Sequence, residues 1–244
     1  MISAIGRYFL FFRNAFIGHI KPKVLFNRVI EECIDIGLKS TILTIVVSAF
    51  IGIVCCLQTN NTVSSPLLSK TIVAVGLRNM VVLELAPTLI GIIFAGKNGA
   101  FMASQITSMR ISEQIDALNV MGINYIQYII LPKIIASTIM YPMLVVLSCF
   151  CSLLSGYLLA VYHLNIPGDI FIRGYQTIGG NTHIDYLLVK SIIFGFLISL
   201  VSTYSGAFTK GQGEIAVGEA SKVAFTKSCL LILIFDYILS MILL

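Results

Sequence analysis

Charge is the scarcest property of this sequence. Asp, Glu, Lys and Arg make up 11% of its 244 residues, against roughly 25% in an ordinary soluble domain, and that shortage excludes a water-facing globular surface. Histidine is nearly as rare. His19, His163 and His183 lie far apart, none with a carboxylate and a nucleophile at a recognised spacing, so an intramembrane hydrolase finds little support. The six cysteines, Cys33, Cys55, Cys56, Cys149, Cys151 and Cys229, lack metal-ligand spacing with those histidines and fall mostly in apolar runs, where they read as small fillers. No Gly-rich phosphate loop ending in Gly-Lys-Ser/Thr occurs anywhere, so the chain carries no ATP cradle of the usual kind. The N-terminus has no separate apolar region followed by a small-residue cleavage site, and the first membrane segment is expected to do the targeting. The net charge of +5 is small, and its basic residues gather near the N-terminus without stacking aromatics. That argues against nucleic acid and for anionic lipid headgroups.

What the sequence has in abundance is apolar length. Hydrophobic residues reach 57% and the mean hydropathy is +0.96, the signature of an all-α integral membrane protein. A helix needs roughly 20 mostly apolar residues to cross about 30 Å of hydrocarbon. Five such spans are predicted, at about 36–57, 72–104, 125–162, 187–208 and 223–244, within one domain, 1–244. The third is counted as one crossing; a hairpin broken at Pro142 is the competing topology and would reverse everything downstream. In the first twenty residues Ile2, Ile5, Phe9, Phe12 and Phe16 recur at helical spacing with Arg7 and Asn14 opposite, which predicts an interfacial amphipathic helix over 1–20. Pro22 then punctuates, and a basic-acidic connector follows through Asp35. Polar segments are expected around Asn60 to Pro66, over 163–185 and over 210–222. With the N-terminus inside, 12 of the 16 Lys and Arg fall on the cytoplasmic side, leaving Lys70, Arg78, Arg173 and Lys190 outside. This predicts a cytoplasmic N-terminus and a periplasmic C-terminus.

One central stretch breaks the apolar pattern: SMRISEQIDALNVMGINY, residues 108–125. Ser112 suits an N-cap, Glu113 an acid-favouring first turn and Gly122 the C′ position, which predicts a helix over 112–121. Ile111, Ile115 and Leu118 line one face with Met121 beside them, while Glu113, Asp116 and Asn119 point elsewhere. On these residues alone, a solvated loop helix packed on the bundle explains the segment as well as a docking element does.

Several blocks change that balance. Glu84-Leu-Ala-Pro87-Thr-Leu, Phe94-Ala-Gly96-Lys97-Asn-Gly99-Ala, the run from Ser108 through Arg110, Glu113, Asp116, Met121 and Gly122, and Leu131-Pro132-Lys133 together resemble the MlaE-type permease family of ABC transporters. Gly218-Glu219-Ala220-Ser221-Lys222, Thr226 and Asp236 resemble the same family's C-terminal loop and last-helix aspartate. These blocks extend over about two thirds of the chain. Three positions depart from the pattern: Leu83 stands where many members have Arg, Lys97 replaces an Arg, and Gln105 replaces a Glu.

The resemblance implies a permease subunit that works as a homodimer in the cell inner membrane. It also implies a separate ABC ATPase subunit, an MCE-type (mammalian cell entry) lipid-binding protein in the periplasm, phospholipid as cargo, and room for a small cytoplasmic accessory subunit. It assigns no catalytic residue, cofactor or metal to this chain. By the same resemblance Ser112, Glu113, Gln114, Asp116, Ala117, Leu118 and Met121 form a coupling helix that seats in the ATPase. Glu84, Pro87, Leu83 and Arg78 are the expected lipid-pathway residues. Glu84 and Asp236 are the acids most clearly inside spans, where a charge costs about 2.5–3.5 kcal/mol and faces a cavity or a partner. A structural pair of Glu84 with Arg78 is the plainer alternative. A proton-coupled secondary transporter using Glu84 and Asp236 is the competing function, although the internal repeat common in such folds is missing. A passive scaffold for the MCE protein is the third.

Overall fold

Within a bilayer every backbone N–H and C=O must find its partner inside the chain, and the chain meets that demand with helices. The computed structural model describes residues 22–63, 70–176, 181–209, 211 and 213–243. The interfacial helix expected over 1–20 lies outside them. Among the described residues five helical stretches are long and apolar enough to cross a membrane: Pro22–Thr62, Thr71–Ile111, Ile126–Tyr162, His183–Phe208 and Gly213–Ile242. The first joins α1 (Pro22–Cys33) to α2 (Lys39–Thr62), and the second joins α3 (Thr71–Met80), α4 (Ala86–Phe94) and α5 (Ala100–Ile111). After the short α6 (Gln114–Val120) come α7 (Leu131–Tyr162), α8 (Gly168–Gln176), α9 (Asn181–Phe208) and α10 (Gly213–Leu243). Wide π turns at Ile34–Leu38, Val81–Leu85, Ala95–Gly99 and Ile126–Ile130 interrupt the regular ladder. The all-helical, five-span expectation holds, and α7 runs unbroken through Pro142 instead of folding into a hairpin.

Three segments read as connectors are helical. The stretch from Pro22 to Asp35 continues directly into the first span, with Pro22 as its first residue, where a missing N–H costs nothing. The supposed polar loop 163–185 contains α8, which buries Phe171 and Gly174 and packs against α3. In the supposed loop 210–222, α10 already begins at Gly213, because Ala216, Ala220 and Ala224 form a buried helical stripe there while the Glu and Lys residues between them face outward.

Lipid tails are as apolar as Leu, so helices in a membrane associate through close backbone approach and hydrogen bonds. The contact of α2 with α7 shows both. Ser152 Oγ donates to the Ser48 carbonyl at 2.8 Å and Ser155 Oγ to the Ala49 carbonyl at 2.9 Å. Gly52 lies so close to α7 that a Cβ there would sit 2.0 Å from the Ser152 carbonyl oxygen. Asn98, in the π turn Ala95–Gly99, ties the second span to the first by donating to the Ile36 carbonyl at 3.2 Å and pairing with Ser40. Arg110 at the end of α5 donates to the Ala207 and Thr209 carbonyls, at 3.1 and 2.8 Å, closing the C-terminus of α9 with a cation where the helix dipole favours one.

Gly52→Leu is therefore expected to destabilise the bundle by about 1–3 kcal/mol through overpacking. Gly218→Ala, at a site with nothing within 4 Å, should be neutral or slightly stabilising. Thermal melting of the detergent-purified protein, followed by size-exclusion recovery, separates the two.

Candidate functional site

The sequence places one carboxylate in the second span, one in the fifth and one lysine early in the fourth, and the fold brings all three together. Glu84 lies in the π turn Val81–Leu85, a type of helix irregularity that often marks functional positions. Lys190 projects from α9 and is fully buried. Its Nζ lies 2.9 Å from Glu84 Oε2 and 2.7 Å from Asp236 Oδ1. It also donates to the Tyr186 hydroxyl at 2.9 Å and the Leu83 carbonyl at 3.2 Å. Tyr186, one turn before Lys190, holds its ring 5.0 Å from the same nitrogen. Ser240, one turn after Asp236, donates to Glu84 Oε1 at 3.1 Å, and Thr88 donates to Asp236 at 2.7 Å. Two carboxylates around one ammonium give the triad a formal charge of −1.

Of the three, Glu84 lines a groove. Its side chain is 42% exposed and forms part of the wall of a groove of about 710 Å³. Val47, Phe50 and Val54 from α2 face Met80, Leu85 and Leu89 from the second span across it. The other expected pathway residues are placed differently. Pro87 is buried, and its carbonyl accepts the Tyr141 hydroxyl; Leu83 takes part through its backbone; Arg78 is not among the described groove walls. The plainer pairing of Glu84 with Arg78 gives way to Lys190. Lys190, inside the predicted fourth span but weighed only as an outside cation for the topology, was not among the residues expected at the site. The signal was there: a lysine inside an apolar run needs a carboxylate partner, and two were available.

At the other end of the second span, α6 is shorter than expected and starts differently. Ser112 does not cap it. Its hydroxyl donates back to the Ser108 carbonyl at 2.9 Å and so closes α5. Glu113 occupies the N-cap with a left-handed backbone, φ 58°, so two helices meet at a sharp corner. The far end closes as the sequence led one to expect: Gly122 has φ 75°, its N–H donates to Asn119, and that of Ile123 to Leu118, the paired bonds of a Schellman cap. Ile115 is the one buried side chain of α6, set among Ile106, Ile130, Ile134 and Tyr204. Leu118 is half-buried, and Gln114, Asp116 and Ala117 face out. Met121, expected on the packed face, is 64% exposed, and Val120 is 89% exposed. Gln114, Leu118 and Met121 border a second groove of about 350 Å³. Its floor holds buried Lys133, whose Nζ bonds Glu32 at 2.6 Å and Gln105 at 2.7 Å.

The family described as Permease MlaE matches residues 29–242. This chain belongs to the MlaE permease family. A probable ABC transporter permease protein of Rickettsia bellii is 33% identical over 242 residues, covering 98% of this chain and 92% of the relative. A probable ABC transporter permease protein of Synechocystis is 29% identical, covering 93% and 86%. The chloroplastic protein Trigalactosyldiacylglycerol 1 of Arabidopsis thaliana is 30% identical, covering 91% of this chain and 63% of its own length. This MlaE-family permease is thus a multi-pass membrane protein with five apolar helices among its described residues.

Removing the buried Lys190 leaves two partly buried carboxylates without the cation they share. Lys190→Met is expected to destabilise by about 3–5 kcal/mol, the cost of breaking a buried ion pair. The triple change Lys190→Met, Glu84→Gln, Asp236→Asn should recover most of that loss. Detergent melting curves of the three single variants and the triple variant give the comparison.

Proposed function

We propose that this chain is the permease subunit of an ABC transporter that moves phospholipid between the inner membrane and an MCE-type periplasmic protein, with ATP hydrolysed on a separate subunit. The observation that carries the reading is the groove. A protein of the MlaE permease family holds, between two spans, an apolar groove in which Glu84 is the one charged residue among the described walls. Apolar walls with one oriented polar group fit a ligand that is mostly hydrocarbon with a polar head. The name of the Arabidopsis relative, which is that of a lipid, and the permease names of the bacterial relatives support the same direction.

In this reading α6 faces the cytoplasm and seats in the ATPase. Its exposed Ala117, Val120 and Met121 form an apolar patch of the kind that marks protein contact, ringed by Glu113, Gln114 and Asp116. Closure of two ATPase subunits would shift a permease homodimer between a state that accepts lipid and one that does not, through differential affinity for the two. The MCE protein sits at the α8 end, and a small accessory subunit has room beside the ATPase. The carrier alternative is not favoured: Glu84 and Asp236 are engaged with one buried ammonium, and the family is that of ABC permeases.

The test is transfer of a fluorescent phospholipid by the reconstituted complex. Transfer should require ATP and persist without a proton gradient. Val120→Asp should weaken retention of the ATPase by about tenfold, the loss typical of a central interface residue, with membrane insertion intact. Transfer driven by a proton gradient without ATP, or full ATPase retention by the variant, would contradict the proposal.

A further inference from the structure

The triad has more negative charge than it can neutralise, and the excess lies on the side of the groove. Lys190 has three N–H donors, and four acceptors already surround them: Glu84, Asp236, the Tyr186 hydroxyl and the Leu83 carbonyl. No donor is left to hold a phosphate. A carboxylate has about four acceptor sites. Glu84 receives Lys190 on Oε2, and Ser240 and Tyr186 on Oε1, so acceptor capacity remains on its exposed side. Among the described walls of the groove no other residue is charged, and Gln58 is the one side chain with an amide.

We infer that the groove prefers a phospholipid whose headgroup carries an ammonium, such as phosphatidylethanolamine, over one with net negative charge, such as phosphatidylglycerol. The inference rests on the lipid-transport reading above and names the headgroup for it. The acyl chains lie along Val47, Phe50, Val54 and Leu89, the ammonium donates to Glu84, and Gln58 offers an N–H to the phosphate. An anionic headgroup meets a formal −1 triad with no cation among the described walls to offset it. The surroundings are apolar, and there like charges repel far more strongly than they do in water.

The experiment uses the full complex, equilibrated with equimolar dioleoyl phosphatidylethanolamine and dioleoyl phosphatidylglycerol, with bound lipid extracted and quantified by mass spectrometry. The wild type is expected to bind the ethanolamine lipid with a preference of about tenfold over the bulk ratio, the order expected for one unit charge in a half-exposed site. Glu84→Gln should bring the bound ratio back to the bulk value. Gln58→Arg, on the exposed wall and outside the triad, should turn the preference toward phosphatidylglycerol, and it carries the test if the Glu84 variant does not fold. Glycerophosphoethanolamine, which has no acyl chains, should not displace the lipid. A wild-type ratio equal to bulk, a ratio that Gln58→Arg leaves unmoved, or displacement by the soluble headgroup would overturn the inference. Val54→Trp, which fills the groove, separates the two levels. If total bound lipid is unchanged in that variant, the groove is not the lipid path and both readings fail. If the lipid is lost but the wild-type ratio matches bulk, the headgroup preference alone fails.

Discussion

A lysine ammonium buried among five apolar helices must be neutralised where it stands, and much of this structure follows from that requirement. Lys190 on α9 draws Glu84 from the second span and Asp236 from α10 into contact, so three of the five spans meet at one charge. Breaking such a cluster costs far more than an exposed ion pair would return. The π turn Val81–Leu85 is part of the same solution: it presents both the Glu84 carboxylate and the Leu83 carbonyl to one nitrogen. A neutralised lysine alone would be a structural device. Here the second acid leaves a surplus of charge, and the partly exposed Glu84 brings it to the edge of an apolar groove.

The second span links that groove to the other end of the molecule. It carries Glu84 at one π turn and Asn98 at the next, and it ends at Arg110, which closes α9 before the chain turns the corner into α6. The corner is stiff for local reasons: a left-handed Glu113, a back-bonded Ser112 and a Schellman-capped Gly122 leave α6 few alternatives. A partner that pushes on α6 would push on the span that walls the groove, and packed helices answer such a load by moving between discrete arrangements.

Much of this was legible in the sequence. Apolar runs at the length of a bilayer announced the five spans, and Glu84 and Asp236 stood out because acids inside such runs need partners. The gaps have physical causes. Lys190 was hidden because a lysine three residues into an apolar run looks like a snorkelling end residue, and only the tertiary fold places its nitrogen at the centre of the bundle. Ser112 fitted the N-cap preference, yet serine can also bond back to the i−4 carbonyl, and local sequence does not decide between them. Helix α8 was masked by the Gly, Asn and His around it, although Ile170, Phe171 and Tyr175 keep a helical spacing. The groove is made by two non-adjacent faces, which no single stretch of sequence displays.

The central claim is that phospholipid occupies the groove beside Glu84 and leaves it during ATP turnover. The most direct measurement is photocrosslinking from a benzophenone amino acid placed at Leu89, inside the groove, and at Tyr237, on the outward face of α10, in the assembled complex. The account expects a phospholipid adduct at Leu89 that falls sharply when the ATPase is trapped with vanadate, and an adduct at Tyr237 that does not change. Equal adducts at both sites, insensitive to ATP and vanadate, would contradict it.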